Sequence, residues 1–359
     1  MTRKRHASAD GMPLQELEKG AKIKILIELR KGIGDIVMAL PMLKAIRNRF
    51  PDAYLAVLLD HEDKVAIFEA SRVCVNRFYI FDRKKKHVLT RIKNILEIRW
   101  SHFDAGLLSL VTHPRKGKWL FQLLGIRVRI GEQFEKDYSL ANMYRGSFIE
   151  RNFSLLHLRP AEAGDRFPHL WIADQSVHVF DKTCGNLDGC IVVNIGGGTA
   201  ETYHGKRIHP KAWPYMRCLV EMLSKLDAVI VLMGGEAEKP LLDAYGKLLQ
   251  KEHVVEFIGT PIRNAMQVLR HASLSIGVDT GMQHIAAALG VKTLTLFGPT
   301  NPKTCAPCGK GAHVIARDIP CRCCIGTSRW GTCDDRRCMS QISPQQVFRE
   351  VVNIYSKQK

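Results

Sequence analysis

KIKILIELRKGIGDIVMALPMLKAIRNRF, residues 22 to 50, decides the fold of this chain. Its opening, KIKILIEL, is β-rich and largely apolar and reads as a buried parallel strand. Gly32 and Gly34 then permit a tight turn and close backbone approach to a ligand. From Asp35 onward apolar residues recur at helical spacing. Strand, glycine turn and helix open a doubly wound α/β unit, in which ligands bind outside the carboxyl ends of the strands. The turn is not a dinucleotide fingerprint, since Val37 stands where a third glycine would, and no Gly-Lys-Ser/Thr follows to make a phosphate loop. Asp35 has two readings. It is a helix N-cap, or it is a carboxylate at the mouth of a site, able to take a proton from a substrate hydroxyl.

The same alternation continues outward. AYLAVLLD (53–60), VCVNRFYIFD (73–82), AGLLSLV (105–111) and IRVRIG (126–131) read as further strands with helical stretches between most of them. The pattern loosens over 160–188, and a second series begins with CIVVNIGGG (190–198), DAVIVLMGG (227–235), VVEFIG (254–259), LSIGVD (274–279) and KTLTLFGPT (292–300). The expected division is a flexible arm over 1–20, an N-terminal domain over 21–175, a C-terminal domain over 176–340 and a final helix over 341–359. That helix has Ser343 as N-cap and Pro344 at its first position, and it is expected to pack back toward the N-terminal domain.

The 359 residues suit two cores, and the formal net charge of +18 exceeds what solubility needs. Such an excess points to an acidic partner: nucleic acid, an anionic membrane or a phosphorylated substrate. No nucleic-acid recognition motif accompanies it. The N-terminal stretch lacks the apolar core of a signal peptide, and no run approaches the ~18 apolar residues of a membrane span. A cytosolic setting follows, at most on a membrane surface, where eleven cysteines argue against a disulfide framework.

Two more glycine loops stand at predicted strand ends. In VNIGGGTAETYHGKRIHPKAW (193–213), Gly196, Gly197 and Gly198 can turn backbone amides toward a phosphate, with Lys206 and Arg207 adding charge. The other reading is a solvated glycine turn. In GVDTGMQHIAAALGVKTLTLFGPTNP (277–302), a strand ends at Asp279-Thr280-Gly281 and a helix follows, offering free amides and a positive dipole end to an anion. His284 falls in its first turn.

GDIVMALP, KRIHPKAW, VDTGMQHIAAALG and LFGPTNP, in this order, resemble glycosyltransferase family 9, the ADP-heptose:lipopolysaccharide heptosyltransferases. The resemblance spans roughly residues 22 to 353. It implies a GT-B fold, two Rossmann-like domains facing across a cleft, and inverting heptosyl transfer from ADP-heptose to a phosphorylated, lipid-linked inner core. It further implies a peripheral place on the inner face of the inner membrane. By the same resemblance Asp35 is the general base, and Lys206 neutralises the leaving diphosphate. Gly197, Gly198, Thr199, Asp279, Thr280, Gly281 and His284 hold the nucleotide sugar. Gly34 with the basic residues Arg115, Lys116 and Lys118 meets the acceptor. With a lysine and helix amides present, no cofactor is required for the leaving group. Lys206 is not followed by the family's tryptophan, whereas Lys211-Ala212-Trp213-Pro214 also fits Lys-x-Trp-Pro. Lys206 is preferred, because Trp213 then falls on the aromatic that follows in the family's helix.

PCRCCIGTSRWGTCDDRRCM places Cys321, Cys324, Cys333 and Cys338 at a spacing that admits a structural Zn or Fe site, with Cys305 and Cys308 just upstream. Reduced thiols in a compact loop are the other reading. The extra cysteines keep open a protein O-heptosyltransferase acting on an autotransporter, and a different nucleotide sugar is a further alternative. A non-catalytic sugar-nucleotide module is disfavoured by the retention of Asp35 and Lys206.

Overall fold

The computed structural model describes residues 22–82, 88–135, 146–156, 165–173, 187–197, 210–330 and 332–356, with backbone alone over 201–203 and 206–208. The expected N-terminal arm lies outside them. The described chain forms two units that divide at Pro168 and His169, somewhat before the boundary read from composition.

The first unit runs β1 (Lys24–Glu28), α1 (Ile33–Arg49), β2 (Tyr54–Leu59), α2 (Val65–Ser71), β3 (Arg77–Ile80), α3 (Val88–Ser101), β4 (Ala105–Leu108), α4 (Pro114–Leu123), β5 (Val128–Ile130) and α5 (Phe148–Ser154). Its five strands are parallel in the order β3-β2-β1-β4-β5. β1 is central, which is why Ile25, Leu26 and Ile27 are fully buried and read as an unbroken apolar run. α1 is buried from Ile36 to Leu43, and the Asn152 side chain of α5 donates to the Met38 carbonyl at 3.2 Å. α4 lies so close on β4 that a Cβ at Gly117 would collide with the Leu108 side chain.

The second unit runs β6 (Cys190–Asn194), β7 (Glu201–Tyr203), β8 (Lys206–Ile208), α6 (Met216–Leu223), β9 (Ile230–Gly234), α7 (Gly246–Leu249), β10 (Val254–Ile258), α8 (Ile262–His271), β11 (Ala272–Val278), α9 (Gly281–Ala288), β12 (Lys292–Phe297), α10 (Pro302–Cys305), β13 (Ala312–Ala316), α11 (Arg337–Ser340) and α12 (Pro344–Ser356). Six parallel strands lie in the order β10-β9-β6-β11-β12-β13, and β7 and β8 form a separate antiparallel hairpin. The backbone N–H of Leu170 donates to Ala288 at 2.9 Å, tying the segment after Pro168 to this unit.

The two series of parallel strands are the Rossmann-like pair that a GT-B chain requires. The Ser343 hydroxyl accepts from the Gln346 N–H at 3.2 Å, so the start of α12 is capped where the sequence puts it. The buried face of α12, Val347, Val351 and Ile354, lies in the core of the second unit, with α12 packed on α6.

Candidate functional site

In the first unit, candidate functional side chains gather where β1 and β4 end. These strands are parallel neighbours, so the loops after them emerge at one edge of the sheet. Glu28 closes β1 and is only 1% exposed. Its carboxylate accepts from Arg30 Nε at 3.0 Å and from the Thr112 hydroxyl at 2.9 Å. That last bond joins the end of β1 to the start of α4. Asp35 is the third residue of α1, half-buried, and its Oδ2 accepts the Gly32 N–H at 3.1 Å. The carboxylate thus takes up one of the free amides of the helix start. Gly34 precedes it in the same turn. His113 Nδ1 accepts the Arg115 N–H at 3.2 Å and opens α4, along which Arg115, Lys116 and Lys118 are exposed.

In the second unit, β11 ends at Val278 and delivers Asp279 into a buried position. Lys211 Nζ lies 2.9 Å from Asp279 Oδ2 and donates to the Asp279 carbonyl at 3.0 Å. His284 Nε2 stands 3.7 Å from Oδ1, and the Cys305 thiol 3.9 Å from Oδ2. Burial pushes the Asp279 carboxyl up, but the Lys211 ammonium and His284 outweigh it and hold the group well below the usual carboxylate range. Thr280 is the N-cap of α9 and makes no side-chain cap. Its buried hydroxyl, and both polar atoms of the fully buried Gln283 side chain, have no hydrogen-bond partner among the described residues. Together with the free amides of α9, they make a polar recess suited to an anion.

Of the residues expected to hold a nucleotide sugar, Asp279, Thr280, Gly281 and His284 stand together at the start of α9. Gly197 is buried just beyond β6, and Gly198 and Thr199 lie outside the described residues. Gly196 faces inward: a Cβ there would stand 2.6 Å from the carboxylate of Glu238, which instead accepts the Gly235 N–H at 2.9 Å. The backbone of Lys206 belongs to β8, and its side chain lies outside the described residues. Lys211, the lysine set aside on sequence grounds, reaches Asp279. Trp213 anchors it: the ring is 4% exposed, just before α6, and its Nε1 donates to the Ile342 carbonyl at 2.9 Å. The Lys-x-Trp-Pro spacing carried this signal. Glu28 carried none, since nothing in a strand-end glutamate distinguishes it until Thr112 is brought beside it.

The four cysteines of the C-terminal loop do converge. Cys321, Cys324, Cys333 and Cys338 line one cavity of about 30 Å³ with Trp330, Arg329, Arg336 and Arg337. Burial, together with the neighbouring thiols, pushes the Cys338 thiol up to about 11. The ten described cysteines are all free, and no group of three or more His, Cys, Asp or Glu among the described residues is set to hold a metal ion. The donor chemistry suits a soft metal.

Residues 194–330 match the family model described as glycosyltransferase family 9 (heptosyltransferase). Over 345 residues, 92% of this chain and 98% of the relative, the chain is 23% identical to lipooligosaccharide heptosyltransferase 2 of Campylobacter jejuni. It is 31% identical to lipopolysaccharide heptosyltransferase 1 of Pseudomonas aeruginosa over 163 residues, which is 41% of this chain and 45% of that one. The solved structure of the Escherichia coli ADP-heptose lipopolysaccharide heptosyltransferase II superposes with a TM-score of 0.68 at 19% identity, covering 94% of this chain and 99% of the other.

Proposed function

We propose that this chain is a family 9 glycosyltransferase that transfers heptose from ADP-heptose to a lipopolysaccharide inner-core acceptor, with inversion at the anomeric carbon. The observation that carries the reading is the grouping of Lys211, Asp279 and His284 at the start of α9, on the family's Val-Asp-Thr-Gly motif. Asp35 takes the proton of the acceptor hydroxyl as its oxygen forms the new bond to the anomeric carbon. The bond from that carbon to the diphosphate oxygen breaks, and ADP leaves. Lys211 and the amides of α9 hold the negative charge that develops on the diphosphate, in a recess already organised for it. Asp279 keeps the Lys211 ammonium in place until the donor arrives. Arg115, Lys116 and Lys118 meet phosphates of a lipid-linked acceptor at the cytoplasmic membrane face. No step runs through the cysteine loop.

Acceptor-dependent ADP release from two lysine variants tests the assignment. Lys211→Met should lower kcat/KM by about 10²-fold or more, the scale of losing one donor to a developing anion, while Lys206→Met stays near wild type. The reverse order would return the role to Lys206. Lys211→Arg, which keeps the charge, controls for folding.

A further inference from the structure

We propose that α3 docks this protein onto an anionic lipid bilayer. The proposal extends the reading of a lipid-linked acceptor, but its geometry stands without any transfer chemistry. α3 anchors to its own sheet by one side only: Ile98 enters the core and the Asn94 side chain donates to the Ile80 carbonyl at 2.9 Å. The opposite side carries Leu89, Ile92, Leu96 and Trp100, spaced three or four apart and therefore in one stripe. Their exposures are 82%, 49%, 42% and 73%. The stripe lines a shallow groove of about 550 Å³ that includes Lys93. A monomer in water does not gain by leaving four large apolar side chains in a row.

Charge decides what covers them. Lys93 lies within the stripe and Arg99 beside it, while Glu97, the helix's one acid, is taken up by Arg77 at 3.1 Å. Arg99 also donates to the Leu123 carbonyl of α4 at 2.7 Å, so the two helices are neighbours. α4 exposes Trp119 to 65% and carries Arg115, Lys116 and Lys118. An apolar stripe bordered by cations and exposed indoles is the chemistry of a helix lying in the headgroup plane, apolar side down. No helix among the described residues is long and apolar enough to cross a membrane, so α3 would rest on the surface. A second copy of the chain fits the stripe poorly, because each copy brings a net charge of +18 to the contact.

The test uses the full chain with vesicles of phosphatidylethanolamine and phosphatidylglycerol, and with vesicles of phosphatidylcholine alone, read by cosedimentation. The wild type should bind the anionic vesicles, with binding weakened by salt. The triple variant Leu89→Glu, Ile92→Glu, Trp100→Glu should bind at least about tenfold more weakly, and Lys93→Glu alone about fivefold or more. All four side chains are exposed, and circular dichroism checks that the fold is kept. ADP release with a deacylated, water-soluble acceptor should be unchanged in the triple variant, so loss of docking and loss of transfer are read separately. Wild-type affinity for anionic vesicles in the triple variant, or no binding by the wild type, would overturn the proposal. So would a wild-type dimer that the triple variant turns into monomers, which would assign the stripe to self-association.

Discussion

Two carboxylates of this chain are held in opposite ways. Asp35 is half-buried and spends one oxygen on a backbone amide, whereas Asp279 is buried against a lysine and a histidine. A buried carboxylate whose folded pKa is depressed adds stability at pH values above its unfolded pKa, and that stability is lost as pH falls through the folded value. Wild-type protein should therefore lose stability progressively below about pH 4, the unfolded carboxylate range. Asp279→Asn should flatten that acid limb in urea-unfolding series, and an unchanged limb would show that the pair contributes nothing to it. Removing Lys211 instead leaves the buried carboxylate with His284 as its one basic partner among the described residues, at a cost of up to about 3–5 kcal/mol at neutral pH. The site was only partly legible in the sequence. Asp279, Thr280, Gly281 and His284 are adjacent in the chain, so one motif delivers them together. Lys206 lies in β8 and Lys211 in the segment after it, and local sequence does not show that Lys211 pairs with Asp279.

Among the elements, the central strands were the most legible. β1, β2, β6, β11 and β12 are buried on both faces, so their apolar runs have no competing explanation. β13 escaped notice because it lies at a sheet edge with His313 and Val314 exposed, and its AHVIA sequence shows no clean period. The hairpin of β7 and β8 was hidden in a loop read as glycine-rich and basic. α12 showed its cap but not its partner, because an amphipathic helix announces that it has an apolar face and not what covers it. α4 makes a sharper claim. Its contact with β4 depends on Gly117 having no side chain, since a Cβ would meet three carbons of Leu108. Gly117→Ala should lower the unfolding free energy by about 1–3 kcal/mol despite the better helix propensity of alanine. A gain in stability would mean that Leu108 moves aside at no cost.

For the whole molecule, two α/β units of parallel strands each place candidate site residues at the carboxyl edge of their own sheet. Asp35 stands on the first unit, and Lys211, Asp279 and His284 on the second. The positive charge carried by the chain suits the anionic donor and the phosphorylated acceptor proposed for it. Its excess was plain from composition, but composition alone does not separate nucleic acid from lipid or sugar phosphate. The central claim is proton abstraction by Asp35, and acceptor-dependent ADP release tests it most directly. Purified protein would be given ADP-heptose and a deacylated inner-core acceptor, beside Asp35→Asn, which keeps the shape of the turn and removes the base. The account predicts rapid, acceptor-dependent release by the wild type and a loss of about 10²–10⁴-fold in the variant. Equal release by the two proteins would contradict it.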